Sequence, residues 1–110
     1  MHNARIVNFV QYVISAVRMV NRTDFIAAFA KGLRVIGAFG AETPRLSVAD
    51  AAEASGLDRA TARRCLLTLH ELGYAEDDGK FFQLTPRALR LGMSALAALP
   101  LPVVPLLPEA

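Results

Sequence analysis

Apolar side chains recur at helical spacing in the middle of the chain, on both sides of Gly56. A first helix is predicted from Ser47, whose hydroxyl can cap free backbone N–H groups, with Asp50 three residues later completing a capping box. A second helix is predicted from Asp58, as a second N-cap, to near Gly73, because glycine readily adopts the left-handed conformation that ends helices. The two helices and their tight turn form a helix-turn-helix pattern.

The second of these helices has one predicted buried face and one predicted exposed face. Apolar and small residues recur every three or four positions, which is the spacing of one side of an α-helix, and the arginines fall outside that spacing. The predicted buried set is Leu57, Thr61, Ala62, Cys65, Leu66, Leu69 and Leu72, and the predicted exposed set is Arg59, Ala60, Arg63, Arg64, Leu67 and Thr68.

A short β-hairpin is predicted directly after the second helix. Two strand-like pieces, residues 74–76 and 81–84, flank the turn sequence of residues 77–80. Its Asp-Gly pair marks a hairpin turn, because glycine tolerates the positive φ that such turns require. Leu46 is expected in a further very short strand, so the pattern predicts a winged helix with a wing of two or three strands.

Helices are also predicted before and after this unit. Residues 23–39 read as a helix with Thr23 as N-cap, and Lys31 and Arg34 are expected on its solvated side, with phosphate contact as the alternative. After the wing, Thr85 is predicted to cap a linker helix over residues 86–99, with a proline at its first position, where no backbone N–H is missed. The predicted core stripe of the first helix is Phe25, Phe29, Leu33, Ile36 and Phe39.

The N-terminal segment has its own pattern. Polar residues recur at three-and-four spacing over residues 4–22, which predicts a narrow polar stripe on an otherwise apolar helix. A bilayer span needs about 20 predominantly apolar residues, and this run is interrupted too often. Three interpretations stay open: a helix packed on the body or on a second subunit, an interfacial membrane helix, and a segment without a settled role.

These patterns predict one compact domain with extensions. Residues 1–22 are the amphipathic segment, residues 23–85 the winged helix-turn-helix domain, and residues 86–99 the linker or dimerisation helix. Residues 100–110 form a proline-rich tail, read as an extended linker or the truncated start of an effector domain. The predicted fold class is therefore mainly α with a small β-wing, preceded by an extra N-terminal amphipathic helix and followed by a linker helix.

Composition restricts the chemistry. A length of 110 residues is sufficient for a single domain. A net charge of +2 is weak evidence for a polyanionic partner. A single cysteine and two distant histidines offer neither a disulfide nor a set of metal ligands, so no cofactor or metal is expected and a cytoplasmic setting is the default. The sequence also lacks a phosphate loop or a catalytic constellation, and we do not expect an enzyme.

Three further features are interpreted as structural and not as part of a functional site. Cys65 lies on the predicted buried face and is interpreted as a packing residue, and His70 as a partly exposed polar residue. The acidic run of residues 76–78 is interpreted as a solvated turn, because three adjacent acids cannot all point at one ion.

The exposed side of the second helix has the residue types for contact with DNA. An α-helix fits the major groove, and its N-terminal exposed residues meet base edges and phosphates first. The planar guanidinium group of arginine donates hydrogen bonds that match the acceptors of guanine, and it also binds phosphate. Which of the arginines contacts a base therefore stays open. The alternative is a solvated face on which the arginines pair with Asp58 and Glu71. The candidates for base or phosphate contact are Arg59, Thr61, Arg63, Arg64 and Thr68, and those for the DNA backbone are Ser47 and Lys80.

The segments DFIAAFAKGL and GLDRATARR, followed by the wing and linker pattern, carry a family resemblance. Residues 24–100 resemble the N-terminal winged helix-turn-helix domain of IclR-type bacterial transcription regulators. Within that family they resemble the regulators of protocatechuate and β-ketoadipate (aromatic acid) catabolism.

The resemblance implies binding to palindromic promoter DNA as dimers or tetramers, with residues 58–72 as the recognition helix and residues 76–82 as the wing. It also implies dimerisation through the first and linker helices, for which the candidates are Phe25, Phe29, Leu91 and Leu96. A small organic effector is expected only if a C-terminal domain exists. We therefore predict a dimeric, cytoplasmic regulator of aromatic-compound catabolism genes that binds double-stranded DNA and no membrane. The alternative is a winged-helix protein-interaction module without specific DNA binding.

Overall fold

The computed structural model describes residues 10–14 and 22–100 of the chain. Residues 10–14 are helical, and a 3₁₀ turn covers Arg22–Asp24. The remaining helices are α1 (Ala27–Ile36), α2 (Val48–Ser55), α3 (Arg59–Glu71) and α4 (Pro86–Ala98), and the strands are β1 (Arg45–Leu46), β2 (Ala75–Asp77) and β3 (Phe82–Leu84). The predicted fold class, mainly α with a small wing, is confirmed.

The three strands form one antiparallel sheet in the order β1–β3–β2. Phe82 in the middle strand lies opposite Leu46 on one side and Asp77 on the other. Gly79 in the connecting turn has a φ of 99°, as the hairpin pattern required. Because β1 precedes α2 in the chain, the sheet joins the start of the helix-turn-helix to the hairpin that follows it.

The core lies where α1, α2, α3 and the sheet meet. Leu66 and Val35 are its largest fully buried apolar side chains. Half of the core residues are alanines, whose small side chains let the helices pack closely together. The buried cluster consists of Val35, Ala38, Leu46, Ala51, Ala52, Ala62, Leu66, Leu69, Ala75 and Phe82.

The predicted capping box at the start of α2 is confirmed. The Asp50 N–H donates to Ser47 Oγ at 3.1 Å, and the Ser47 N–H donates to Asp50 Oδ2 at 3.4 Å. At the other end of α2, Gly56 takes the left-handed conformation, with φ 72°. The capping box and the left-handed glycine of this helix are therefore both features that the local sequence predicts.

Replacing Ser47 with alanine is expected to lower the free energy of unfolding by about 1 kcal/mol, because a first-turn N–H loses its acceptor. Urea denaturation followed by circular dichroism measures this change. The matched control is Ser94→Ala within α4, where the exposed serine caps nothing and alanine is the better helix former. Equal losses in the two variants would contradict the capping role.

The first helix differs from its prediction. It begins at Ala27 instead of Thr23, with Ile26 at the N-cap position and no capping side chain, and it ends at Ile36. The predicted core stripe is wrong in part, because Phe29 is 66% exposed whereas Ala30 and Val35 are buried. α1 packs against both α2 and α3. The narrow space between two helices accepts small residues, so the large side chains on the opposite side of α1 remain exposed.

The N-terminal segment packs on the domain where the structure describes it. Val10 and Val13 are buried, and a Cβ built on Gly56 would lie 3.7 Å from Val10 Cγ1. For residues 10–14 this supports a helix packed on the body. The expectations for residues 1–9 and 15–21 and for the tail beyond residue 100 concern parts of the chain that lie outside the described residues. No helix in the described ranges has the length and apolar character needed to cross a bilayer.

The linker helix is attached to the end of α3. Pro86 is its first residue and Thr85 occupies its N-cap position, as predicted, but the Thr85 hydroxyl forms no cap hydrogen bond. That hydroxyl instead donates to the Gly73 carbonyl oxygen at 2.7 Å, and the Thr85 N–H donates to the Tyr74 carbonyl oxygen at 3.0 Å. Gly73 itself has a φ of 86° just beyond α3, which confirms its predicted role as a helix stop.

Candidate nucleic-acid interface

α3 presents its basic side to solvent. Ala62, Leu66 and Leu69 are buried and hold the helix against the core. The opposite positions are exposed, as predicted, whereas Leu72 of the predicted buried set is exposed because it lies past the last helical turn. The exposed residues of this side are Arg59, Ala60, Arg63, Arg64, Leu67 and Thr68.

The three arginines of α3 have no acidic partner in the part of the chain that the structure describes. The ion pair there joins Arg45 to Asp78, and the other close contact with an acidic side chain is that of His70 with Asp77. The alternative, in which these arginines pair with Asp58 and Glu71 on a solvated face, is therefore not observed. Three guanidinium groups on one exposed helix remain available to an anionic partner.

The two threonines of α3 make local contacts. Thr61 is half-buried, and its hydroxyl lowers the pKa of the Asp58 carboxyl. Asp58 is the N-cap residue of α3, as predicted, although its carboxylate accepts no hydrogen bond of standard cap geometry. Thr68 is exposed and donates its hydroxyl to the Arg64 carbonyl oxygen at 2.7 Å. Thr61 therefore supports the start of the helix, while Thr68 stays exposed with its hydroxyl bonded to the backbone of its own helix.

The acidic side chains of the wing build its turn. Asp78 Oδ1 accepts the N–H groups of Phe81 and Lys80 at 2.8 Å and 3.0 Å, and Asp77 Oδ1 accepts the Gly79 N–H at 2.9 Å. The hydrogen bonds from Phe81 and Lys80 lower the pKa of the Asp78 carboxyl. Asp77 and Asp78 are exposed, as predicted for a solvated turn, and their carboxylates also stabilise the backbone of that turn. The described residues contain no group of histidine, cysteine and acidic side chains that could hold a metal ion.

Two cations flank one aromatic ring in the wing. The Arg45 guanidinium carbon lies 4.8 Å from the centroid of the Phe81 ring, and Lys80 Nζ lies 5.3 Å from it. Arg45 also forms an ion pair with Asp78, whereas Lys80 is exposed and has no acidic partner among the described residues. Sequence reasoning missed Arg45, because only the pairing of β1 with β3 brings it to the wing.

The wing is also tied to the end of α3. His70 Nε2 in the last turn of the helix lies 3.5 Å from Asp77 Oδ2, and the His70 side chain is partly exposed, as predicted. Together with the contact of Arg45 with Asp78, this link connects the wing to both α3 and β1. The recognition-type helix and the wing are therefore in direct contact at this point.

Cys65 has the surroundings of a packing residue. It is half-buried and packs against the core cluster. Burial raises the pKa of its thiol, which disfavours the reactive thiolate at neutral pH. The sequence-based interpretation of Cys65 as structural therefore agrees with its environment.

The predicted backbone and dimerisation candidates lie on other elements. Ser47 is half-buried at the start of α2, and its hydroxyl oxygen accepts the cap hydrogen bond. Phe29 on α1 is exposed and Phe25, just before α1, is half-buried. α4 has no buried residue, with Leu91 exposed and Leu96 half-buried. The described chain therefore leaves apolar surface uncovered on α1 and α4, which further includes Ile26, Leu33, Leu89 and Met93.

Known proteins resemble this chain in sequence. Residues 28–79 match the IclR helix-turn-helix domain. The chain is 44% identical over 87 residues to the Pca operon regulatory protein of Acinetobacter baylyi, covering 79% of this chain and 31% of that relative. It is 45% identical over 85 residues to the p-hydroxybenzoate hydroxylase transcriptional activator of the same organism, covering 77% and 31%.

A solved structure agrees in both sequence and fold. An IclR family transcriptional regulator from Brucella abortus matches with a TM-score of 0.68 and 32% identity, over 74% of this chain and 32% of that one. The chain thus spans about a third of the length of the relatives that it matches. The family match also confirms the expectation that the domain is not an enzyme. Residues 28–79 of this chain are an IclR helix-turn-helix domain.

Proposed function

We propose that this chain binds a specific double-stranded DNA site through α3 and its wing, as the DNA-binding part of a transcription regulator. The observation that carries the proposal is the set of three exposed arginines on α3 without an acidic partner in the described chain. An α-helix fits the major groove of B-DNA, and arginine forms two parallel hydrogen bonds with guanine. The proposed function is therefore occupancy of a promoter.

The position of each candidate residue indicates its proposed role in DNA binding. Arg59 begins α3, where side chains enter the groove first, and Arg63 lies one turn further along the helix. Arg64 and Thr68 extend the same exposed side, and Thr61 acts mainly by supporting the helix start. Lys80 in the wing and Ser47 at the start of α2 are proposed to contact the DNA backbone, Ser47 by way of the N–H groups at the helix end.

We propose that the chain acts as a homodimer through the apolar surfaces of α1 and α4. Phe29 is exposed, and no residue of α4 is buried in the single chain. A symmetric dimer would place two recognition helices about 34 Å apart, one turn of DNA, so the proposed site is an inverted repeat. In this division of the chain, residues 23–85 bind DNA and residues 86–99 join the two copies.

Replacing Leu91 with glutamate is expected to convert the dimer into a monomer, because the exposed leucine would lie in the apolar contact of α4 and a buried charge there is costly. Analytical ultracentrifugation of the purified chain measures the change. Leu72→Glu introduces the same charge at an exposed leucine beyond α3 and is expected to leave the dimer intact. A monomeric unmodified chain, or equal effects of both variants, would contradict the dimer proposal.

The names of the relatives suggest the regulated genes. One relative is named for the Pca operon and the other for p-hydroxybenzoate hydroxylase. By this analogy we propose that the chain acts on genes for the catabolism of aromatic compounds.

The purified chain and a library of random DNA duplexes test the proposed function. Rounds of selection should enrich an inverted repeat, and fluorescence anisotropy at two salt concentrations should show salt-sensitive binding that favours the selected duplex over a scrambled duplex of equal composition. A chain that enriches no site and shows no salt-sensitive affinity would contradict DNA binding. That result would favour the protein-interaction module, with α1 and α4 as its binding surface.

A further inference from the structure

The turn between α2 and α3 depends on one side chain from another helix. At the end of an α-helix the last carbonyl groups lack partners within the helix. Here the Leu57 N–H donates to the Ala52 carbonyl oxygen at 3.1 Å, and the Gly56 N–H donates to that of Glu53 at 3.4 Å. The carbonyl groups of Ser55 and Gly56, which form the turn itself, receive no backbone donor among the bonds of the described chain.

Arg34 of α1 supplies both missing donors. Its Nε donates to the Ser55 carbonyl oxygen at 2.9 Å and its Nη2 to the Gly56 carbonyl oxygen at 3.0 Å. Arg34 is half-buried, and desolvation lowers the pKa of its guanidinium. The sequence-based expectation of a solvated Arg34 is therefore wrong, because the packing of α1 on α2 brings this side chain to the end of α2.

The surroundings of the turn leave it little freedom. Ser55 is fully buried, and its hydroxyl donates to the Ala51 carbonyl oxygen at 2.6 Å. A Cβ built on Gly56 would lie 3.0 Å from Arg34 Nη2 and 3.7 Å from Val10 Cγ1. The guanidinium thus occupies the space beside the glycine, and α3 starts three residues beyond it.

We propose that Arg34 is a positioning residue for DNA recognition, because its two hydrogen bonds set the turn and thereby the direction in which α3 presents its arginines. The inference rests on the proposed function and adds a residue that does not itself touch DNA. The guanidinium fork has a fixed geometry, so it defines two carbonyl positions at once. α1 also carries the exposed Phe29, so Arg34 joins the proposed dimer surface to the turn.

The test compares Arg34→Met with two controls on the same helix. Lys31→Met removes an equal charge from a half-buried lysine that forms no hydrogen bond or ion pair within the described residues. Val35→Ala removes volume from a fully buried position without touching the turn. For each variant, anisotropy gives the ratio of affinities for the selected and scrambled duplexes, and thermal denaturation gives the melting temperature.

Arg34→Met is expected to lower the affinity ratio about tenfold, while both controls keep it within about twofold and Val35→Ala lowers only the melting temperature. A methionine variant that melts earlier but keeps the ratio would overturn the inference, since Arg34 would then only stabilise the fold. Equal weakening on both duplexes by Arg34→Met and Lys31→Met would also overturn it, since Arg34 would then act only as a charge.

Arg34→Lys extends the test if the methionine variant does not fold. Lysine keeps the charge but not the planar fork, so the affinity ratio is expected to fall severalfold at an unchanged net charge. A lysine variant with the ratio of the unmodified chain would overturn the two-point contact. An unmodified chain without any preference between the duplexes would instead overturn the proposed function, and this inference with it.

Discussion

Replacing Leu66 with alanine is expected to lower the free energy of unfolding by about 2–5 kcal/mol. Leu66 is fully buried in the cluster that joins α3 to α1, α2 and the sheet, so its truncation leaves a cavity that the surrounding helices fill only in part. A domain of this size has a total stability of about 5–15 kcal/mol. Urea denaturation monitored by circular dichroism should therefore show a large fall in the midpoint concentration.

The neighbouring Leu67 provides the matched control for this prediction. It lies on the same helix but is 37% exposed. Its replacement by alanine is expected to change the free energy of unfolding by less than about 1 kcal/mol. If the two variants lost the same stability, the assignment of α3's buried face would be contradicted.

Replacing Arg63 with alanine is expected to weaken binding to the selected duplex by about 1–3 kcal/mol, or about 5–150-fold, with a smaller loss on the scrambled duplex. Arg63 is exposed, has no acidic partner in the described chain, and lies one turn into the recognition-type helix. Its planar fork can bond guanine at two points, and alanine offers no donor. Anisotropy with duplexes that carry single base changes would show which position loses its preference.

Two further variants distinguish a side chain that recognises a base from one that binds a phosphate. Arg63→Lys keeps the charge but loses the fork, and it should lose base preference nearly as strongly as the alanine variant if Arg63 reads a base. Lys80→Ala in the wing should weaken binding about uniformly across sequences and reduce the salt slope by about one. An equal loss on all duplexes for Arg63→Ala would contradict the base-reading role, and the same comparison applies to Arg64.

The parts of the fold that the sequence predicted correctly depend on contacts between near neighbours in the chain. The capping box joins Ser47 to Asp50, and Gly56, Gly73 and Gly79 all have the positive φ that their turns require. Tertiary packing is not needed to place such features, because a capping side chain or a glycine acts within three or four residues. The exposed arginines of α3 follow from the same periodicity.

The errors fall where distant segments meet. Large apolar residues suggested the core side of α1, yet Ala30 and Val35 face the core because α1 lies in the space between two helices. Arg45 joins the wing only through pairing of β1 with β3. Thr85 uses its hydroxyl for the Gly73 carbonyl group, twelve residues away, instead of its own helix.

The sequence by itself determined the helix-turn-helix, the wing, the glycine turns and the exposed basic face of α3, since each follows from local periodicity and backbone conformation. Only the tertiary structure decided how these pieces are oriented. Arg34 reaches the Ser55 and Gly56 carbonyl groups more than twenty residues away, and Asp77 contacts His70 while Asp78 contacts Arg45. Such contacts depend on the distance and angle between packed elements, which no pattern along a single helix or strand contains.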